Sequence, residues 1–385
     1  MIILTVHNRY QFRGGEDAVL EAEDNLLRDR GNETIRYEAH NDEIERLGKL
    51  RTSFRTIWSQ DSIQRLDKIL LNKHADIMHV HNFFPLISPS IYYAAKRHNI
   101  PVVQTIHNYR LFCLNGYFFR QDKTCEDCLG KLVPWPGVVH ACYRESMAGS
   151  AVVATMLATH RLMKTWLNQV DIFIALTEFS RSKLIEGGLP EYKIIVKSNF
   201  LDRDPGVGDG CGGYALFVGR LSPEKGINTL INAWKENKSA PPLKIVGDGP
   251  LSTEVLKASM SVPKIEWLGQ QPPETVYDFM GAASFLVFPS QWYEGLPRTI
   301  IESFAKGTPV IASKIGATTE LIEPGRTGLL FETGNPRDLI EKVDWAMAYP
   351  KKMAEMRREA RAEFEAKYTS ERNYKMLMDI YQQAI

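Results

Sequence analysis

The stretch "DRDPGVGDGCGG", residues 202 to 213, decides the fold. It places five glycines and one proline within twelve residues and shows no apolar periodicity, the composition of a flexible connection between domains. On its N-terminal side lie short β-branched runs, "IILTV" (2–6), "DIMHV" (76–80), "PVVQTI" (101–106), "DIFIAL" (171–176) and "KIIVKS" (193–198). On its C-terminal side the rhythm resumes with "YALFVG" (214–219), "LKIVG" (243–247), "KIEWLG" (264–269), "SFLVFPS" (284–290) and "TPVIAS" (308–313). None of these runs alternates strictly between polar and apolar, and a helix-length segment follows each. That pattern predicts parallel sheets covered on both faces, hence an α/β fold. Two such domains on one connection predict a cleft, with ligands at the carboxyl ends of the strands.

A chain of 385 residues is long enough for two domains with a core each. Its 47 Lys and Arg nearly cancel 46 Asp and Glu, and a net charge of +1 gives no electrostatic case for a nucleic-acid partner. No apolar run approaches the ~18 residues of a membrane span. The start "MIILTVHNRY" reads as a first strand and not as a signal peptide, so a cytoplasmic location with reduced thiols is the expectation.

Three strand-to-helix junctions suit an anion. "RGGEDAVLEAEDNLL" opens a helix at Gly14 and Gly15. "FVGRLSPEKGINTLI" ends a strand at Gly219, then offers Arg220, a helix start at Ser222, Pro223 and Glu224, and Lys225 in the first turn. "VGDGPL" is the third. Glycine lets backbone approach an anion, and a helix N-terminus presents unpaired N–H groups. Two cations at one junction suit a diphosphate better than a single carboxylate. Any βα turn contains glycine, so one junction alone distinguishes little. The chain has no G-x-x-x-x-G-K-[ST] element, which excludes a P-loop ATPase, and no full G-x-G-x-x-G in the first βα turn, which weakens a nicotinamide reading.

"YEGLPRTIIE" (293–302) carries two glutamates, the familiar pair of acid–base chemistry. Pro297 suits a first helical turn, and "LPRTIIESFAKG" reads as that helix, ended by Gly307. Glu294 then lies in the loop before the helix and Glu302 inside it, so the two do not share one face.

In order and spacing, "GGED" (14–17), "HVHN" (79–82), "QTIHN" (104–108), "ALTEFSRSKLIEGGLP" (175–190), "NFLD" (199–202), "FVGRLSPEKG" (217–226), "VGDGP" (246–250), "YEGLPRTIIE" (293–302) and "GTPVIAS" (307–313) resemble the retaining GT-B glycosyltransferases of glycosyltransferase family 4. The resemblance spans nearly the whole chain. It implies two Rossmann-like domains: 1–202 for the acceptor, with a Cys-rich insertion at about 110–145, then a linker over 203–213, and 214–365 for a nucleoside-diphosphate sugar donor. A last helix, 366–385, would pack back toward the first domain. By the same resemblance Glu294 faces the donor sugar beside Gly295, Leu296, Pro297 and Arg298, and Glu302 binds the ribose hydroxyls. Arg220 and Lys225 would hold the diphosphate, with Gly14 and Gly15 approaching it once the cleft closes. His107 matches the family's active-site histidine, and His79, His81 and Asn82 would line the acceptor side. Many relatives have His-Asp where this chain has His107-Asn108, which leaves open which side chain activates the acceptor hydroxyl of a glycan, lipid-linked or small-molecule substrate. No catalytic metal is implied. Two rival readings stand beside the transferase: an epimerase or hydrolase of sugar nucleotides on the same fold, which needs no acceptor, and a silent nucleotide-sugar-binding subunit.

Cys113, Cys125, Cys128 and Cys142 are spaced C-x11-C-x2-C-x13-C. A C-x2-C turn with two flanking cysteines offers four thiolates to a structural zinc ion, with His140 as a substitute ligand. Reduced unliganded thiols, an iron–sulfur cluster and a disulfide are the alternatives. Residues 46 to 74 carry seven Lys or Arg against two Asp, with Phe54, Ile57 and Trp58 interleaved. They read as a solvated amphipathic helix pair or as a surface resting on anionic membrane.

Overall fold

Each of the ten β-branched runs forms a strand. In chain order the strands are β1 (Ile2–Arg9), β2 (Glu33–His40), β3 (Ile77–Asn82), β4 (Val102–Thr105), β5 (Phe119–Arg120), β6 (Lys123–Thr124), β7 (Ile172–Ala175), β8 (Ile194–Val196), β9 (Ala215–Val218), β10 (Leu243–Val246), β11 (Ile265–Gly269), β12 (Phe285–Phe288), β13 (Val310–Ser313) and β14 (Gly328–Phe331). The structure, a computed structural model, describes residues 1–11 and 14–385. They divide into two units: Met1–Phe118 with Cys125–Asp202 and Ser370–Ile385, and Phe119–Thr124 with Arg203–Thr369. Each unit carries a six-stranded parallel sheet, ordered β2-β1-β3-β4-β7-β8 in the first and β11-β10-β9-β12-β13-β14 in the second. β5 and β6 form a small antiparallel hairpin.

In the first unit Ile3, Ile77, Val103, Ile172 and Ile174 project from the sheet onto Leu27 of the helix Gly15–Asp29 and onto Leu377, Ile380 and Tyr381 of the helix Ser370–Ala384. Each such side chain is worth about 1.5–3 kcal/mol on burial. In the second unit Phe217, Ile245, Val287 and Ile311 pack against Leu230 and Trp234 of the helix Ile227–Glu236 and against Leu339 and Val343 of the helix Pro336–Ala348.

The glycines of the connecting stretch serve close packing. Gly208, Gly210 and Gly212 donate their N–H groups to the carbonyls of Lys306 (3.0 Å), Gly281 (2.9 Å) and Ala282 (2.8 Å), so alternate residues lie flat on the second unit. A Cβ on Gly208 would stand 2.1 Å from the Cα of Gly281. The expectation of a freely flexible stretch is corrected over these residues: their missing side chains let backbone meet backbone.

The basic stretch forms the helices Lys49–Ile57 and Gln60–Asn72, the second capped by the Ser59 hydroxyl on the Ser62 N–H. Leu50 and Phe54, one turn apart, are exposed, whereas Arg55 is buried 3.6 Å from Asp61 and Trp58 stacks on His160. Among the described residues no helix is long and apolar enough to cross a membrane.

Candidate active site

The second sheet changes winding direction between β9 and β12, so the loops after these strands meet at its carboxyl edge, where open α/β sheets bind ligands. After β9 come Gly219, the exposed Arg220 and the buried Ser222, then a 3-10 turn over Pro223–Lys225. The α-helix begins only at Ile227, so Lys225 sits on a tight turn ahead of it and not in its first turn. Gly226 joins the two in the left-handed conformation, φ +72°, and a Cβ there would lie 1.9 Å from the Pro289 carbonyl oxygen. No other residue lets the turn sit this close to the loop after β12.

That contact brings Lys225 Nζ to 2.6 Å from Glu294 Oε1. Glu294 is buried, and the same oxygen accepts from the Ser290 hydroxyl (2.9 Å) and the Trp292 indole N–H (2.8 Å). The Lys225 ammonium also lies over the Trp292 and Phe288 rings, 5.4 and 5.8 Å from their centroids. The carboxylate is thus fixed by three donors, and the ammonium by one charge and two π faces. Gly295, Leu296 and Pro297 continue the loop, with Pro297 capping the helix Arg298–Ala305. Glu302 lies one turn into that helix, with Arg298 Nε 2.9 Å from its Oε1 in an ion-pair contact that lacks hydrogen-bond alignment. Burial raises the Glu302 carboxyl above its ordinary range and Arg298 opposes the rise. The expected donor residues Lys225, Glu294, Arg298 and Glu302 therefore gather at the carboxyl edge of one sheet, and Arg220 stands at the end of β9.

In the first unit a cavity opens at the carboxyl ends of β1, β3 and β4, lined by Tyr10, His81, Asn82, Phe84, His107 and Arg110 among others. His107 follows β4, and its Nε2 meets His81 Nδ1 at 3.1 Å, the rings stacked at 5.4 Å. Burial pushes the His107 imidazole down to about 3, so it is neutral at physiological pH. His79 does not line the cavity. It is wholly buried between the Tyr381 hydroxyl (2.7 Å) and the Thr105 hydroxyl (2.8 Å). Asn108 donates to Glu16 Oε1 at 2.7 Å, and burial raises that carboxyl. Gly14 and Gly15 open the helix carrying Glu16, where Asp17 accepts the Gly14 N–H (2.8 Å) and contacts His7 (2.9 Å).

Beneath the cavity Glu23 is buried with His79 and His81. Among the described residues these three form the group whose ligand-type atoms lie within 4.8 Å of one another. Lys197 Nζ already neutralises the carboxylate at 2.6 Å, which disfavours a cation there. Sequence reasoning missed Ser290, Trp292, Glu23 and Lys197. A signal for Glu23 exists in "GEDAVLEAEDNLL", where Asp17, Glu23 and Asp24 fall on the buried face of an otherwise amphipathic helix.

No disulfide joins the four clustered cysteines, which lie in the first unit. The Gly137 N–H points at the Cys128 sulfur and the Gly137 carbonyl accepts the Cys142 N–H (2.9 Å). Burial pushes the Cys128 thiol up to about 11, and the other three thiols act on it in the same sense. The cluster shares a neighbourhood but lacks the 4.8 Å convergence seen at Glu23, His79 and His81.

Two family models match the chain: Glycosyltransferase Family 4 over residues 26–205 and Glycosyl transferases group 1 over residues 210–363. An uncharacterized glycosyltransferase of Methanocaldococcus jannaschii is 34% identical over 177 residues, 45% of this chain and 48% of that protein. A D-inositol 3-phosphate glycosyltransferase of Acidothermus cellulolyticus is 35% identical over 143 residues, 33% of this chain and 31% of that protein. The aligned stretches thus span half or less of these relatives. Among solved structures, the Anabaena HepE complex with UDP aligns with TM-score 0.69 at 17% identity, covering 98% of this chain and 99% of that one. Sucrose-phosphate synthase of Thermosynechococcus elongatus aligns with TM-score 0.73 at 16% identity, covering 99% and 98%. Likeness at this identity establishes a shared fold.

Proposed function

Since this chain belongs to the GT-B glycosyltransferases of family 4, we propose that it moves a sugar from a nucleoside diphosphate to an acceptor hydroxyl with retention at the anomeric carbon. The observation that carries this reading is the assembly of Lys225, Glu294, Arg298 and Glu302 at the carboxyl edge of one sheet. The bond from the anomeric carbon to the diphosphate oxygen breaks and its electron pair stays with the phosphate. The acceptor oxygen bonds the same carbon from the same face and its proton passes to the leaving phosphate. Arg220 and Lys225 neutralise the charge that grows there, and Glu294 holds the sugar as positive charge develops on it. Glu302 takes the ribose hydroxyls, a reading supported by its half-buried carboxylate beside Arg298. UDP in the HepE complex makes uracil the first base to try.

The test uses a panel of nucleoside diphosphates and their sugars. A diphosphate should raise the melting temperature, and slow hydrolysis of its sugar without acceptor should release first, by NMR, the anomer of the donor. Indifference to every member, or release of the opposite anomer first, would reject donor binding or retention respectively.

The cysteine cluster supports a second proposal, a structural zinc ion on Cys113, Cys125, Cys128 and Cys142. Zinc draws thiolates to about 2.3 Å and lowers their pKa, which would offset the burial that now raises Cys128. Gently purified protein should carry about one zinc per chain, and Cys125→Ser should lower both metal content and melting temperature. Metal-free protein of full stability would leave the cysteines as ordinary thiols.

A further inference from the structure

Four groups run in line into the first unit's cavity: the buried Lys197, Glu23 and His81, and the half-buried His107, with the two histidines in the cavity lining. Lys197 Nζ donates to Glu23 Oε1 at 2.6 Å, both side chains almost wholly enclosed. The other Glu23 oxygen, Oε2, faces His81 Nε2 at 3.4 Å, and neither atom has any aligned hydrogen bond. His81 Nδ1 then meets His107 Nε2 at 3.1 Å. The His79 ring packs on His81 at 4.2 Å and is itself pinned at both nitrogens.

A neutral imidazole carries one proton, so each ring donates from one nitrogen and accepts at the other. Burial lowers the pKa of His79, His81 and His107, and all three are neutral. Burial alone would raise the Glu23 carboxyl, but the charge and hydrogen bond of Lys197 at 2.6 Å hold it below its ordinary value, so Glu23 is ionised. An ionised carboxylate accepts only. A bare His81 Nε2 would set lone pair against lone pair, so the proton of His81 belongs on Nε2. Its Nδ1 is then an acceptor, and the proton of His107 belongs on Nε2, which faces it.

We propose that His81 is a positioning residue: Glu23, anchored by Lys197, holds it in the Nε2–H form, so that it fixes the His107 tautomer and leaves His107 Nδ1 as the free acceptor. This rests on the transferase reading for its purpose but not for its geometry. An Nδ1 acceptor at the cavity suits a hydroxyl donor, from the sugar or the acceptor alcohol, and does not suit a carbonyl. The sorting of His107 is therefore a specificity device, set two residues away from the ligand.

The tautomers are read directly from long-range proton–nitrogen NMR spectra of the full chain with histidine nitrogens labelled, assigned by single His→Gln variants. Both His81 and His107 are expected as Nε2–H. Finding either as Nδ1–H in the wild-type protein overturns the proposal, whatever the activity. The charge-balanced double variant Glu23→Gln with Lys197→Met is expected to give a mixture of His107 tautomers, with kcat lower by about tenfold and donor KM held. An unchanged His107 tautomer in the folded double variant also overturns it. Because the spectra need no turnover, the expected tautomers in a chain that binds no nucleotide would support this inference while rejecting the transferase reading.

Discussion

Glu294→Gln should lower kcat by ~10²-fold or more and leave donor KM nearly unchanged, whereas Glu302→Ala should mainly raise donor KM. The contrast follows from where each carboxylate stands. Glu302 would hold the ribose, which does not change during reaction, so its contribution to ground state and transition state is alike. Glu294 is buried with three donors on one oxygen and would face a sugar whose anomeric carbon gains positive charge. Gln keeps its shape and one acceptor oxygen but loses the charge that the transition state uses. Steady-state kinetics with the donor varied at saturating acceptor separates the two. Equal loss of kcat in both variants with donor affinity intact, or the reverse pattern, would refute the division of labour.

Lys225→Ala should cost kcat/KM about 10³-fold, and more than Arg220→Ala. Both cations would stabilise the leaving diphosphate, but only Lys225 also neutralises Glu294, at 2.6 Å. Removing it leaves a buried carboxylate uncompensated beside an anion, a loss of attraction joined by repulsion. Arg220 is exposed, and its loss removes attraction alone. The double variant Lys225→Ala, Glu294→Gln should therefore lose less than the sum of the two single losses, since the repulsion disappears with the charge. Near-normal kcat/KM in both Lys225→Ala and Arg220→Ala would remove the diphosphate from this turn. Strict additivity in the double variant would instead mean that the pair seen here is broken when donor binds.

The strands interior to each sheet were legible because burial on both faces leaves a continuous apolar run. Two edge strands were not. In β2 only Ile35, Tyr37 and Ala39 of "ETIRYEAH" are buried, and the charged residues between them leave no continuous apolar run. β14 is four residues long and opens with Gly328, an ordinary signal of a turn. At the site, the motifs located Arg220, Lys225, Glu294 and Glu302 but not their mutual contacts, since the Lys225–Glu294 pair joins the loops after two strands that are neighbours only in the folded sheet. The buried Lys197–Glu23 pair lay further out of reach: its members are 174 positions apart, and each alone looks like surface charge.

The helix Ser370–Ala384 belongs to the first unit although the whole of Arg203–Thr369 precedes it. On the ribosome, the sheet of β1, β3, β4 and β7 emerges early, while the side chains that cover Ile3, Ile77 and Val103, namely Leu377, Ile380 and Tyr381, are still untranslated. The same helix supplies the Tyr381 hydroxyl to His79 and the Asn373 side chain to Lys197 and Ser198. A nascent chain halted before residue 370 therefore holds an uncovered apolar sheet and a histidine cluster without its outer partners. Co-translational folding cannot finish the first unit first. Synthesis of the second unit must be over before the first can close.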